Sequence, residues 1–185
     1  MKYLSFFAIA LLLSSCSATF IPTEVQNGKL LGIMPMKHGK ATYQYTSKLQ
    51  ASREDIFRQS RRWAAFHIKN APSALLIGDN LTGDIIVNGT ISGRTYVMNK
   101  TNYILPTVNY AASIESYEGS FRVTFTNFWF DGVLSHPVET RLKSLSKKSV
   151  SQQLEIIHNE AESMLADIRT FIASEIRESP TTSEK

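Results

Sequence analysis

Over residues 41–47, Tyr43 and Tyr45 alternate with Thr42, Gln44 and Thr46, a period of two that predicts a strand. The period then lengthens. Ile56, Ser60, Trp63 and His67 share a face with Phe57, Ala64 and Ile68, which is the recurrence of an amphipathic helix. Ser52 offers an N-cap, and Glu54 and Asp55 place negative charge in the first turn, where the helix dipole favours it. Asn70-Ala71-Pro72 should end this helix.

Residues 74–77 read as a short apolar strand, 79–84 as a polar turn and 85–92 as its hairpin partner. Residues 93–106 lack a clear period and are expected to form a longer loop. Two further strands, 108–117 and 120–130, flank Glu118-Gly119, a tight hairpin signal. If Tyr117 pairs with Ser120, then Glu115 faces Arg122, Ser113 faces Thr124 and Ala111 faces Thr126. These side chains share a polar face, while Ala112, Ile114, Val123 and Phe125 line the other. A solvent-exposed Glu115–Arg122 pair contributes only about 0–1 kcal/mol, so it specifies register more than stability. By strict alternation Phe128 and Phe130 fall on the polar side, either covered by residues 93–106 or forming an apolar contact patch.

Further on, Ser149-Val150-Ser151-Gln152 has the spacing of a capping box. Val150, Leu154, Ile157, Ala161, Met164, Ile168 and Phe171 then recur in steps of four and three, an apolar seam on a helix expected to reach about Glu178. The seam suits packing across a sheet, and secondarily a coiled coil or homo-oligomer through this C-terminal helix. Residues 179–185, with Pro180, read as a disordered tail, and residues 16–40 as a tether and irregular lead-in with turns at Asn27-Gly28 and Gly39. The element order predicts an α+β domain over residues 41–178, with one antiparallel sheet and both helices on one face.

Composition changes this picture at one end. Cys16 is the only cysteine, and Leu13-Ser14-Ser15-Cys16 follows an apolar run from Leu4 to Leu13 behind Lys2. That is the form of a lipoprotein export signal, cut before a cysteine that is then acylated. Ten apolar-leaning residues are too few to span a bilayer, which takes about 20 as a helix. A lone thiol also invites mixed disulfides in an exported protein, whereas acylation would consume it. Removing residues 1–15 leaves 170 residues, enough for one core, and lowers the formal charge from +4 to +3 because Lys2 is the only charge lost. With no dense basic run and with export expected, nucleic acid is not an expected partner. Lys37, His38 and Lys40, with Arg58, Arg61 and Arg62, could meet anionic headgroups, although solvated faces that aid solubility are the simpler account of them. Ser17 after the cysteine carries no acidic retention signal, which points to the outer membrane.

Residues 51–130 resemble a family of bacterial lipoproteins carrying domain of unknown function 4468, with a fold like that of the TATA-box-binding protein. The resemblance lies in Ser52-Arg53-Glu54-Asp55-Ile56-Phe57 leading to Arg62-Trp63, in Gly83-Asp84-Ile85-Ile86-Val87-Asn88-Gly89, and in Tyr117-Glu118-Gly119-Ser120-Phe121-Arg122-Val123. It implies a fold and an envelope location, and carries no catalytic residue with it. A fold shared with a DNA-binding saddle does not imply DNA binding.

No Gly-x-Ser-x-Gly elbow occurs. His38, His67, His136 and His158 are scattered without metal-ligand spacing, so no metal or cofactor is expected. His67 reads as a core histidine and His158 as lying on the flank of the long helix. Residues 79–84 lack the spaced ligands of a calcium loop. The strand side bearing Asn109, Ser113, Glu115, Arg122, Thr124 and Thr126 is the candidate partner surface. The expectation is therefore a lipid-anchored envelope protein with a noncatalytic binding or assembly role toward another envelope protein. The alternative is an enzyme on an envelope substrate whose site does not show in sequence order.

Overall fold

The 118–119 turn organises the centre of the molecule, as seen in a computed structural model that describes residues 19–68, 75–79, 81–98 and 101–178. The export signal, Cys16, the Asn70-Ala71-Pro72 helix stop and the 179–185 tail lie outside the described residues. Strand β11 (Val108–Tyr117) turns through Glu118-Gly119 into β12 (Ser120–Phe130). The register is the expected one, with Tyr117 opposite Ser120, Glu115 opposite Arg122 and Ser113 opposite Thr124. A two-residue turn with Gly119 at φ +71 leaves little freedom to slip.

Around this hairpin the chain builds one antiparallel sheet. Before it come β6 (Tyr43–Lys48), β7 (Leu75–Asp79) and β8 (Asp84–Ile91), and after it β13 (His136–Pro137). The strand order is β13-β12-β11-β8-β7, and β6 pairs with the Ser120–Phe125 part of the β12 edge that β13 leaves free. Helix α1 (Arg53–His67) and helix α2 (Lys147–Glu178) both pack on the same side. There they cover Ile85, Val87, Ala112, Ile114, Val123 and Phe125, all nearly inaccessible. Ser52 caps α1 as expected, its hydroxyl accepting from Asp55 N at 3.1 Å. The seam of α2 is spent inside the chain, with Leu154, Ile157, Ala161 and Ile168 fully buried.

Four local expectations differ from what forms. Residues 20–40, expected as a tether and irregular lead-in, contain β1 (Phe20–Pro22), β2 (Val25–Gln26), β3 (Lys29–Leu30), β4 (Met34–Lys37) and the start of β5 (Lys40–Ala41). Most of these strands are too short for alternation to register, and Asn27 and Gly28, both at positive φ, close the first hairpin. Residues 93–106, expected as a loop, hold the hairpin of β9 (Arg94–Met98) and β10 (Thr101–Leu105). A last strand, β14 (Thr140–Leu142), pairs with β1. Helix α2 begins three residues before the capping-box reading, because the Ser146 hydroxyl accepts from Ser149 N at 3.1 Å and Ser146 O from Val150 N.

The fourth difference reverses a face. Phe128 and Phe130, expected on the polar side either under residues 93–106 or as a contact patch, are instead buried in the core. Between the pairs Asn109–Trp129 and Ala111–Thr126, β12 holds two residues where β11 holds one. Asn127 takes up the extra residue at φ +53, a left-handed conformation that asparagine tolerates better than most side chains. The bulge shifts the alternation by one and returns both rings to the core.

Candidate functional site

Opposite the helices, the sheet presents a ladder of polar rows. The first row runs Asp84, Glu115, Arg122, Thr46; the second runs Ile86, Ser113, Thr124, Gln44. A third sets Asn88, Ala111 and Thr126 side by side, and a fourth sets Thr90, Asn109 and Trp129. All six residues expected on the partner surface, Asn109, Ser113, Glu115, Arg122, Thr124 and Thr126, lie on this face, each partly exposed. The period of two puts them there, since their strand neighbours fill the core.

Several of these groups hold one another. Arg122 Nη1 donates to Glu115 Oε2 at 3.2 Å, and the Tyr117 hydroxyl donates to the same carboxylate. The Arg122 guanidinium also lies 5.6 Å from the Tyr117 ring centre. Because its hydroxyl donates a hydrogen bond to the Glu115 carboxylate, the Tyr117 phenol is held above its ordinary pKa. Gln44 donates to Thr124 at 3.3 Å, and the Thr42 and Thr126 hydroxyls lie 3.1 Å apart. Asn109 and Ser113 make no side-chain hydrogen bond to the described residues, so their polar groups are left for solvent or a partner. Among the described residues the face is chemically a hydrogen-bonding surface with one charge pair, interrupted by the Ile86 and Trp129 side chains and the Tyr117 ring.

The basic residues grouped by sequence separate in space. Lys37 donates to Gln44 and Lys40 to Asn127, each at 2.9 Å, on the sheet side. Arg58, Arg61 and Arg62 lie on α1, along a groove of about 680 Å³ that Arg53, Phe57 and Gly83 also line. There Arg58 pairs with Asp55, Arg62 pairs with Glu175, and Arg61 stacks over Phe57. Sequence reasoning missed the groove, because it arises where α1 meets a turn about twenty residues later. Arg53 reaches across that gap to donate to Leu81 O at 2.7 Å.

Both helix histidines serve packing contacts. His67 is not a core residue: its side chain is 37 % exposed, stacked on Trp63 and 3.7 Å from Asp167 at the junction of the helices. His158 Nδ1 lies 2.9 Å from the Tyr43 hydroxyl. Burial, assisted by Glu162, raises the Tyr43 pKa, and burial alone pushes Tyr110 up to about 12. A second cleft, about 260 Å³ between β10 and the start of α2, contains the buried, unpartnered Gln152 Oε1. It is smaller than the pockets that usually take organic ligands. Among the described residues no three His, Cys, Asp or Glu side chains converge as metal ligands, and no helix is long and apolar enough to cross a membrane.

Comparison with known proteins agrees with this architecture. Residues 45–131 match the family described as domain of unknown function (DUF4468) with TBP-like fold. A DUF4468 family protein from Bacteroides ovatus superposes with a TM-score of 0.63 at 14% identity, over 88% of this chain and 100% of that one. A TBP-like protein from Parabacteroides distasonis gives 0.52 at 14% identity, over 74% and 97%. At such identities the likeness establishes the fold alone. No curated protein matches the chain.

Proposed function

We propose that this chain, whose residues 45–131 belong to the DUF4468 family, is a lipid-anchored cell-envelope protein that works by binding, with the open sheet face as its contact surface. The observation that carries this reading is the asymmetry of the sheet. Both helices lie on one face, and no described helix crosses the other. The open face offers directional hydrogen-bonding groups in fixed rows on a rigid scaffold, the arrangement a polar protein interface needs. Its charged groups are engaged with one another rather than converging in a deep pocket, which favours recognition over acid–base chemistry. Attachment through Cys16 would confine the surface to the neighbourhood of other envelope components, raising their effective concentration without new contacts.

A photo-crosslinking residue at Thr124, compared with one at Glu155 on the exposed side of α2, tests the surface in intact envelopes. Discrete adducts from Thr124 and none from Glu155 are expected; equal or absent adducts count against the sheet face. For the anchor, Cys16→Ser should abolish metabolic palmitate incorporation and release the protein from membranes, whereas retained incorporation would place the lipid elsewhere.

A further inference from the structure

The described chain starts at Thr19 and is in register by Phe20, where β1 pairs with β14. Three peptide units separate Thr19 from Cys16, a reach of at most about 11 Å even when fully extended. If Cys16 carries the lipid, as proposed above, the corner of the domain containing Thr19 is held against the bilayer. A long flexible tether is excluded by that count.

That corner has its own unusual surface. The Phe20 ring packs on His136, centroids 4.6 Å apart, and His136 Nδ1 lies 2.6 Å from Leu134 O. Beside them Val133 is fully exposed, Leu134 is 45 % exposed and Phe20 37 %. Three outward apolar side chains on a turn and a two-stranded ribbon have no role in the core. Lys143 N donates to Thr19 O, which brings an exposed lysine to the same place. Lys147 and Lys148 follow in the first turn of α2, which holds no acidic residue. Lysines there oppose the helix dipole, an arrangement unfavourable in water and favourable only toward an anion. Lys147 is paired with Glu24 at 2.7 Å, while Lys143 and Lys148 have no carboxylate partner among the described residues.

We infer that this corner docks on an anionic lipid leaflet, with Val133, Leu134 and Phe20 entering the interface and Lys143 and Lys148 meeting phosphates. Apolar side chains flanked by lysines are what binding at a headgroup boundary requires. The inference rests on the lipid anchor proposed above. It also fixes an orientation. The strands run away from this end, so the 118–119 turn and Leu81 lie about 30 Å farther out, at roughly 3.3 Å per strand residue. The open sheet face then stands side-on to the membrane, accessible to a neighbouring envelope protein.

The test uses the full acylated chain in vesicles of phosphatidylcholine and phosphatidylglycerol. With Cys16 alkylated, a Val133→Cys substitution supplies the only free thiol, and it takes an environment-sensitive fluorophore; Leu81→Cys serves as the distal control. Emission at position 133 should shift to shorter wavelength and be quenched by bromolipid several-fold more than at position 81. Equal quenching at both positions overturns the inference, as does a blue shift at 133 without lipid quenching, which would mean that protein or a second copy covers the corner. Palmitate incorporation into the same Val133→Cys protein separates the failures. Incorporation without lipid quenching overturns the docking alone; no incorporation overturns the anchor and the docking with it.

Discussion

The indole Nε1–H of Trp63 donates to Asp167 Oδ2 at 2.7 Å, joining α1 to α2 where the Trp63 side chain is almost wholly buried. His67 stacks on the indole at 8° and approaches the same carboxylate. Replacing Asp167 with Leu removes the acceptor and leaves the indole N–H without a protein partner. The cost of such an orphan is about 1–3 kcal/mol. Asp167 is 49 % exposed, so water can reach the site and the lower half of that range is expected. Urea unfolding should show a reduced midpoint at unchanged slope, and Asp167→Asn, which keeps an acceptor, should lose less than half as much.

Asn127 gives a backbone prediction. At φ +53 it occupies a region that costs a β-carbon-bearing residue about 1–2 kcal/mol, with β-branched residues worst placed. Asn127→Val should therefore destabilise by roughly that amount. Asn127→Gly should change stability by less than about 0.5 kcal/mol, losing only an exposed bond from Lys40 while gaining backbone freedom. Equal effects of the two substitutions would show that the bulge is not held by φ.

The same residue marks where reading the sequence stops being sufficient. From Tyr117 to Thr126 the pairing follows from a two-residue turn and a period of two, so the polar face was legible residue by residue. Past Asn127 the parity changes, and only a single asparagine in an aromatic run signals it. The β1–β5 strands escape detection because two to four residues cannot show a period. Ser146 and Ser149 both make plausible caps, and the choice between them is set by where the preceding β14 turn delivers the chain. His67 falls on the shared face of α1 by helical spacing, yet α2 meets that face from the side and leaves the ring partly open. The arginine groove depends on the approach of α1 to the 81–83 turn, which no local pattern encodes.

Arg122 should separate stability from binding. Its bond to Glu115 is 42 % and 28 % exposed at the two side chains, which limits its net contribution to about 0–1 kcal/mol. Arg122→Ala should leave the thermal midpoint within a few degrees of the parent. Adducts from a crosslinker at Thr124, the next outward residue on β12, should fall sharply in the same variant. Unchanged adducts would remove Arg122 from the contact surface.

Two buried phenols, Tyr110 and Tyr43, give the fold an expected loss of stability at alkaline pH. Tyr110 is raised by burial to about 12, from 10.0, and Tyr43 is raised in the same direction. In the unfolded chain these groups lose protons near pH 10, while in the folded chain they still hold them. The unfolded state therefore binds fewer protons above pH 10, and stability must fall as pH rises. Their contribution is fully present below about pH 10 and is lost as pH passes through the folded values. For Tyr110 alone the change is about 2–3 kcal/mol between pH 10 and 12. Circular dichroism melts from pH 8 to 11.5 should show the decline, and Tyr110→Phe should flatten it. A slope unaffected by that substitution would assign the alkaline loss to other groups.

Gly89 lies opposite Tyr110 in the β8–β11 register, and a β-carbon there would overlap the Tyr110 Cζ and hydroxyl positions. Gly89→Ala at a strand position with ordinary φ would otherwise stabilise by about 0.4–1 kcal/mol through the unfolded state. The sign depends on whether the ring can move. Tyr110 is 2 % exposed, its ring centre lies 5.6 Å from Phe125 and 5.9 Å from Phe128, and its hydroxyl reaches Met164 Sδ at 3.1 Å. Displacing it would disturb both helix and sheet contacts, so Gly89→Ala should destabilise by about 1–3 kcal/mol, the range for overpacking. Tyr110→Leu removes the ring and opens the space. Gly89→Ala should then cost less in the Tyr110→Leu background than in the parent, with a coupling of about 1 kcal/mol. Chemical denaturation of all four proteins measures it. A stabilising Gly89→Ala, or additive losses in the double variant, would show that the tyrosine ring yields without resistance and that glycine is not required beneath it.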